Sequence, residues 1–191
     1  MSKYELLAFD WDGTILDSAA VITDCIEQTS REMGLTIPER ERIRYAIGLG
    51  FEAAMTHILP TLDKTNRETF VRLYRQRART RDGELALFSG AADTIQTLHE
   101  QGYTLVVATG KSRAALDREL ISSGLDQYFS GSRCADETFS KPDPAMLLEL
   151  MERFGFDSDN TLMIGDTTHD LQMAKNANVA AIGVSYGAHP K

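Results

Sequence analysis

Two aspartates separated by a single residue, followed at once by glycine and threonine, are the first place in this chain where residue types and spacing suggest chemistry: Asp10-Trp11-Asp12-Gly13-Thr14. On an extended chain, residues two apart point to the same side. The spacing therefore brings the carboxylates of Asp10 and Asp12 into one small volume and turns Trp11 away. Like charges held that close need a cation or a proton to relieve them. The pair points to a metal site in which one carboxyl also acts as an acid. An EF-hand loop is excluded, because it needs glycine at position six and glutamate at position twelve. Here Gly13 is fourth and Val21 is twelfth.

Three further clusters follow. In Thr109-Gly110-Lys111-Ser112, Thr109 offers a hydroxyl and an amide, and Gly110 lets a ligand approach the backbone. A P-loop would need glycine at position 105, which is Leu105. In Ser140-Lys141-Pro142-Asp143-Pro144, two prolines stiffen the turn around one lysine, a compact charge suited to an oxyanion. In Gly165-Asp166-Thr167-Thr168-His169-Asp170, Asp166 lies at a strand end and Asp170 one helical turn on. Facing Asp10 and Asp12, Asp166 completes an oxygen-only site of the kind Mg²⁺ takes. His169 reads as a surface residue at a helix start and not as a ligand. Alone, each cluster is an ordinary turn; together they converge.

What makes them converge is the order of elements. Leu6–Phe9 is a short apolar run, predicted to be a buried strand. Strands are also expected over Thr104–Thr109, within Phe129–Ala135, and over Thr161–Ile164 and Val179–Val184. Helices are expected over Ala91–Gln101, Ser112–Ser123, Asp143–Phe154 and Thr168–Ala177. Alternating strands and helices imply a parallel sheet with right-handed crossovers, a Rossmann-like α/β core. The four clusters follow successive strands, so all lie at the edge where open α/β sheets bind ligands. From Asp17 to about Gly83 the pattern is purely helical, with four helices. The first is capped at Asp17-Ser18, the second opens at Thr36-Ile37-Pro38, the third is closed by Pro60 and the fourth is capped by Thr65. Residues 17–83 thus form an inserted cap over a core of residues 1–16 and 84–191. Gly48-Leu49-Gly50 is the inward loop best placed to touch a substrate. The arginines Arg72, Arg75, Arg77, Arg79 and Arg81 read as a solvated helix face.

The bulk numbers narrow the class. With 20 basic and 28 acidic residues the net charge is −8, which argues against nucleic acid or an acidic membrane as partner. No apolar run approaches spanning length, and no signal peptide precedes the first strand. Cys25 and Cys134 are far apart and stand in no metal spacing, as expected of buried thiols in a reducing cytoplasm.

The four clusters in this order resemble the haloacid dehalogenase-like superfamily, specifically its phosphatases with a small helical cap, such as those acting on phosphoglycolate. The resemblance covers essentially the whole chain. Asp10-Trp11-Asp12-Gly13-Thr14 matches the first motif, Thr109 the second, Lys141 the third and Gly165-Asp166 through Asp170 the fourth. It implies that Asp10 is the nucleophile, Asp12 the acid and base, and that Thr109, Gly110 and Lys141 hold the phosphoryl group. It also implies that Asp10, the Asp12 backbone carbonyl and Asp166 bind Mg²⁺, with Asp170 in support. Asp12 favours phosphoryl transfer over carbon–halogen cleavage, since dehalogenase members typically lack an aspartate there. The expected substrate is a small phosphorylated metabolite, phosphoglycolate-like or a sugar phosphate, handled by a monomer or weak homo-oligomer. The rivals are a phosphosugar mutase of the β-phosphoglucomutase kind and a catalytically silent binding module. Members of this type usually continue past the last strand, so the end at Lys191 departs from the pattern.

Overall fold

The computed structural model describes residues 3–189. Its main sheet has five parallel strands in the order β5-β4-β1-β6-β7: β1 is Leu6–Phe9, β4 Thr104–Thr109, β5 Gly131–Cys134, β6 Thr161–Gly165 and β7 Ala180–Gly183. β1 lies at the centre, and alternate residues feed opposite cores, as period-two side chains must. Leu6 and Ala8 pack with Met146, Leu147 and Leu150 of α7 (Ala145–Phe154) and Met173 of α8 (Thr168–Asn176). Leu7 and Phe9 pack with Ile95 of α5 (Ala91–Glu100) and Leu116 of α6 (Arg113–Ser123). The result is the expected Rossmann-like α/β core, with helices packed on both faces of the parallel sheet.

The register positions the site. Phe9 lies level with Val107 of β4 and Ile164 of β6. The residues just beyond, Asp10, Thr109 and Asp166, therefore emerge at one edge. The Asp10 amide donates to the Ile164 carbonyl at 2.8 Å, fixing this alignment.

Four helices lie between β1 and the rest of the sheet: α1 (Ala19–Glu32), α2 (Arg40–Ala46), α3 (Phe51–Ile58) and α4 (Lys64–Thr80). They enclose their own core of Ile26, Ile43, Met55, Ile58 and Phe70. Three local expectations need correction. The second helix starts at Arg40, not at Thr36-Ile37-Pro38, since the residue before a proline is driven from helical geometry. The fourth is capped by Asp63, which accepts from the Asn66 amide at 3.0 Å, and not by Thr65. Two short strands, β2 (Leu16–Asp17) and β3 (Ala86–Leu87), pair antiparallel where the chain leaves and rejoins the core. At two residues each, they carry no readable periodicity.

Candidate active site

Lys141 is the pivot of the site. Its Nζ is 2.6 Å from Asp10 Oδ1 and 2.6 Å from Asp170 Oδ1, and all three side chains are fully buried. Burial disfavours the Lys141 cation, but the two carboxylates outweigh this and hold its pKa above the ordinary value. Burial pushes the Asp10 carboxyl well above the usual carboxylate range against the pull of Lys141, and Asp170 and Asp166 add to the rise. The expected rigid-turn lysine is thus an interior cation.

Asp166 completes the acidic group. Its carboxylate accepts from the Thr14 hydroxyl at 3.1 Å and from the Ala188 amide at 2.6 Å. Burial raises its pKa. Gly13, at φ 83°, lies so close to this carboxylate that any side chain there would collide with it. Asp170 is held in a capping box with Thr167, whose hydroxyl donates to Oδ2 at 2.6 Å. One oxygen each from Asp10, Asp166 and Asp170 lies within 4.8 Å of the others. Asp10 Oδ2 is buried with no hydrogen-bond partner among the described residues. An all-oxygen set with an unpartnered carboxylate oxygen fits a hard divalent cation such as Mg²⁺.

Asp12 departs from the simplest expectation. Its carboxylate does not join the acidic group but accepts from Ser18 Oγ at 2.7 Å and from Lys111 Nζ at 3.0 Å on both oxygens. Lys111 in turn lies 2.9 Å from Glu119 Oε1, and the Trp11 indole donates to Glu119 Oε2 at 2.7 Å. Trp11 does face away from Asp10, into the core. Burial opposes the Lys111 cation, yet Asp12 and Glu119 together keep its pKa high. Burial raises the Glu119 pKa despite Lys111. The sequence reading missed Lys111 and Glu119 as site residues. A signal existed: Glu119 lies four positions from Ala115 and three from Leu116, on the apolar side of α6.

Thr109 is buried at the end of β4, its hydroxyl accepting from the Lys111 amide at 3.2 Å. A Cβ on Gly110 would lie 2.5 Å from the Gly48 carbonyl oxygen and 2.6 Å from that of Leu49. The Gly48-Leu49-Gly50 loop therefore sits directly over the strand ends. The Gly50 amide also donates to Ser140 Oγ at 2.6 Å, beside Lys141.

His169 needs correction: it is buried, and its Nε2 donates to the Tyr45 carbonyl at 2.8 Å, fastening α8 to α2. Burial lowers its pKa. The arginine run divides. Arg77 and Arg81 pair with Glu32 and Glu84, while Arg75 and Arg79 border a cavity above α6.

Comparisons with known proteins identify the family. The family model described as "Haloacid dehalogenase-like hydrolase" matches residues 7–184. "Probable phosphatase IndB" of Dickeya dadantii is 38% identical over 190 residues, covering 96% of this chain and 82% of its own. A phosphoglycolate phosphatase of Agrobacterium fabrum is 31% identical, covering 95% and 81%. A crystal structure described as a "predicted phosphoglycolate phosphatase" from Haemophilus somnus superposes with a TM-score of 0.87 at 25% identity, covering 98% of this chain and 88% of that one. The chain belongs to the haloacid dehalogenase-like hydrolase family.

Proposed function

We propose that the protein is a Mg²⁺-dependent phosphatase acting on a small phosphorylated metabolite through an aspartyl-phosphate intermediate. The observation that carries this reading is the buried Lys141 bridging Asp10 and Asp170 inside a carboxylate group at the sheet's ligand-binding edge. Asp10, the backbone carbonyl of Asp12 and Asp166 would hold the cation, with Asp170 in support. When bound, the cation offsets the charge of the transferring phosphoryl group.

The chain's own residues do the rest. Asp10 needs no activating base once Lys141 and the cation favour its ionised form. Its oxygen attacks phosphorus as the ester bond to the leaving oxygen breaks. Asp12 delivers a proton to that oxygen, then takes one from the water that releases phosphate from Asp10. Thr109, the Gly110 backbone and Lys141 hold the phosphoryl oxygens. Residues 17–83 act as a cap, with Gly48-Leu49-Gly50 closing the site against water. Relatives named phosphoglycolate phosphatase make phosphoglycolate a starting candidate, beside the sugar phosphates expected from the resemblance.

Phosphate release from a metabolite panel with Mg²⁺ tests the reading. Asp10→Asn is expected to lose activity by about 10⁴-fold or more. Turnover surviving in that variant, or label returned to substrate instead of released, would overturn it.

A further inference from the structure

Beside the acidic group lies a cavity of about 290 Å³ between the helical insert and α6. Asp12, Ser18 and Lys111 form one end of it. Away from that end most of the wall is apolar, from Ile22 and Ile26 of α1, Met55 and Ile58 of α3, Ala78 of α4 and Ala115 of α6, with Arg75, Arg79 and Arg118 the cations that also border it. Tyr74 of α4 also lines it. The Tyr74 hydroxyl makes no hydrogen bond among the described residues, and it lies in the field of Lys111, Asp12 and Glu119.

We propose that this cavity receives the leaving group, and that the substrate is a phosphate monoester of an alcohol with an apolar body larger than glycolate or a comparably small polar acid. The inference rests on the phosphatase reading, because it uses Asp12 as the group that protonates the leaving oxygen. The leaving group must begin at Asp12, and Asp12 opens into the cavity. Size and charge then decide the class. The volume is near the lower bound of ordinary ligand pockets, roughly 300 Å³, and equals about ten waters at their liquid volume. Glycolate, with five heavy atoms, would leave much of it unfilled. A carboxylate in the leaving group would also need a free cation. At the Asp12 end, Lys111 is already shared between Asp12 and Glu119. Arg118 donates to the Ala114 carbonyl and lies 3.5 Å from Asp82 in a half-exposed pair, where a further charge contact is worth little. Arg75 and Arg79 also line the cavity but are exposed to solvent, where a charge pair contributes little. An apolar body fits the walls without a charged partner, and the Tyr74 hydroxyl can meet one polar atom on it.

The test is a series of unactivated esters whose alcohols differ little in acidity: ethyl, butyl, hexyl and 2-phenylethyl phosphate, with phosphoglycolate and glucose 6-phosphate beside them, all with Mg²⁺. The wild type is expected to gain about three- to fourfold in kcat/KM per added methylene until the cavity is full, and to prefer 2-phenylethyl phosphate over phosphoglycolate. Ala115→Phe on α6 and Ala78→Phe on α4, both at residues that line the cavity, narrow it from different helices, and either should flatten the rise. A flat series, a preference for phosphoglycolate, or filled variants that keep the wild-type rise would overturn the inference while leaving the phosphatase reading in place. Absence of phosphate release from every ester would overturn the phosphatase reading, and this inference with it.

Discussion

At the scale of single residues, two lysines, Lys141 fully buried and Lys111 largely so, divide the two aspartates of the first cluster between different tasks. Lys141 holds Asp10 against the acidic group, and Lys111 holds Asp12 beside the cavity. A buried cation removed from between carboxylates leaves them uncompensated, which typically costs about 3–5 kcal/mol. Lys111→Met is therefore expected to destabilise by about that amount in urea unfolding, since both Asp12 and Glu119 lose their partner. Adding Glu119→Gln should recover part of the loss, because one orphaned charge is then gone. Strictly additive single effects would show that the two do not act as a pair. The raised pKa values of Asp10 and Asp166 give a second expectation. A cation binds their ionised forms, so binding must displace protons that raised carboxyls retain at higher pH. Mg²⁺ affinity should fall on acidification, starting above the ordinary carboxylate value near 4. Calorimetric titration across pH, with proton release measured in buffers of different ionisation enthalpy, checks this. An affinity that stays flat down to that value would contradict the raised pKa values.

At the scale of elements, the site is assembled by loops that each follow a strand and are pressed onto one another. Gly110 shows how tightly. Its missing side chain is the space in which the Gly48 and Leu49 carbonyls lie. Gly110→Ala should push the insert loop away from β4, lowering kcat/KM and costing about 1–3 kcal/mol of stability, as overpacking usually does. Thermal unfolding and kinetics on one preparation check both. The five strands of the main sheet, most helices and the four clusters at its edge were legible in the sequence, because long periodic runs and strand-end acids are local signals. Contacts between distant elements were not. Nothing near His169 announces the Tyr45 carbonyl, 124 positions away, and nothing near Asp12 announces that Lys111 draws it from Asp10. The two-residue strands β2 and β3 were too short for any pattern to mark them.

At the scale of the whole molecule, the helical insert is tied to the cation-binding group through the segment that follows β7. Arg44 of α2 donates to the Gly187 carbonyl at 2.9 Å and to the Ala188 carbonyl at 3.1 Å. The Ala188 amide then donates to Asp166, whose other oxygen is fixed by Thr14. His189 joins the same junction, accepting from the Thr168 amide at Nδ1 and donating from Nε2 to the Tyr45 carbonyl. Groups that orient a metal ligand without touching the metal commonly change affinity by 10- to 100-fold when lost. Arg44→Gln releases one such tie at a half-buried site, so Mg²⁺ binding should weaken by about tenfold. Stability without the cation should change by no more than about 1 kcal/mol, because Arg44 makes no buried charge pair among the described residues. The two effects are linked: at saturating Mg²⁺ the variant should gain about 1.4 kcal/mol less stabilisation than the wild type, the equivalent of that tenfold. Calorimetric titration and thermal unfolding with and without Mg²⁺ give both quantities independently. An unchanged dissociation constant alongside a large loss of stability would mean that Arg44 merely glues the insert to the core. The expected pattern would mean that the helices over the site help set how firmly its cation is held.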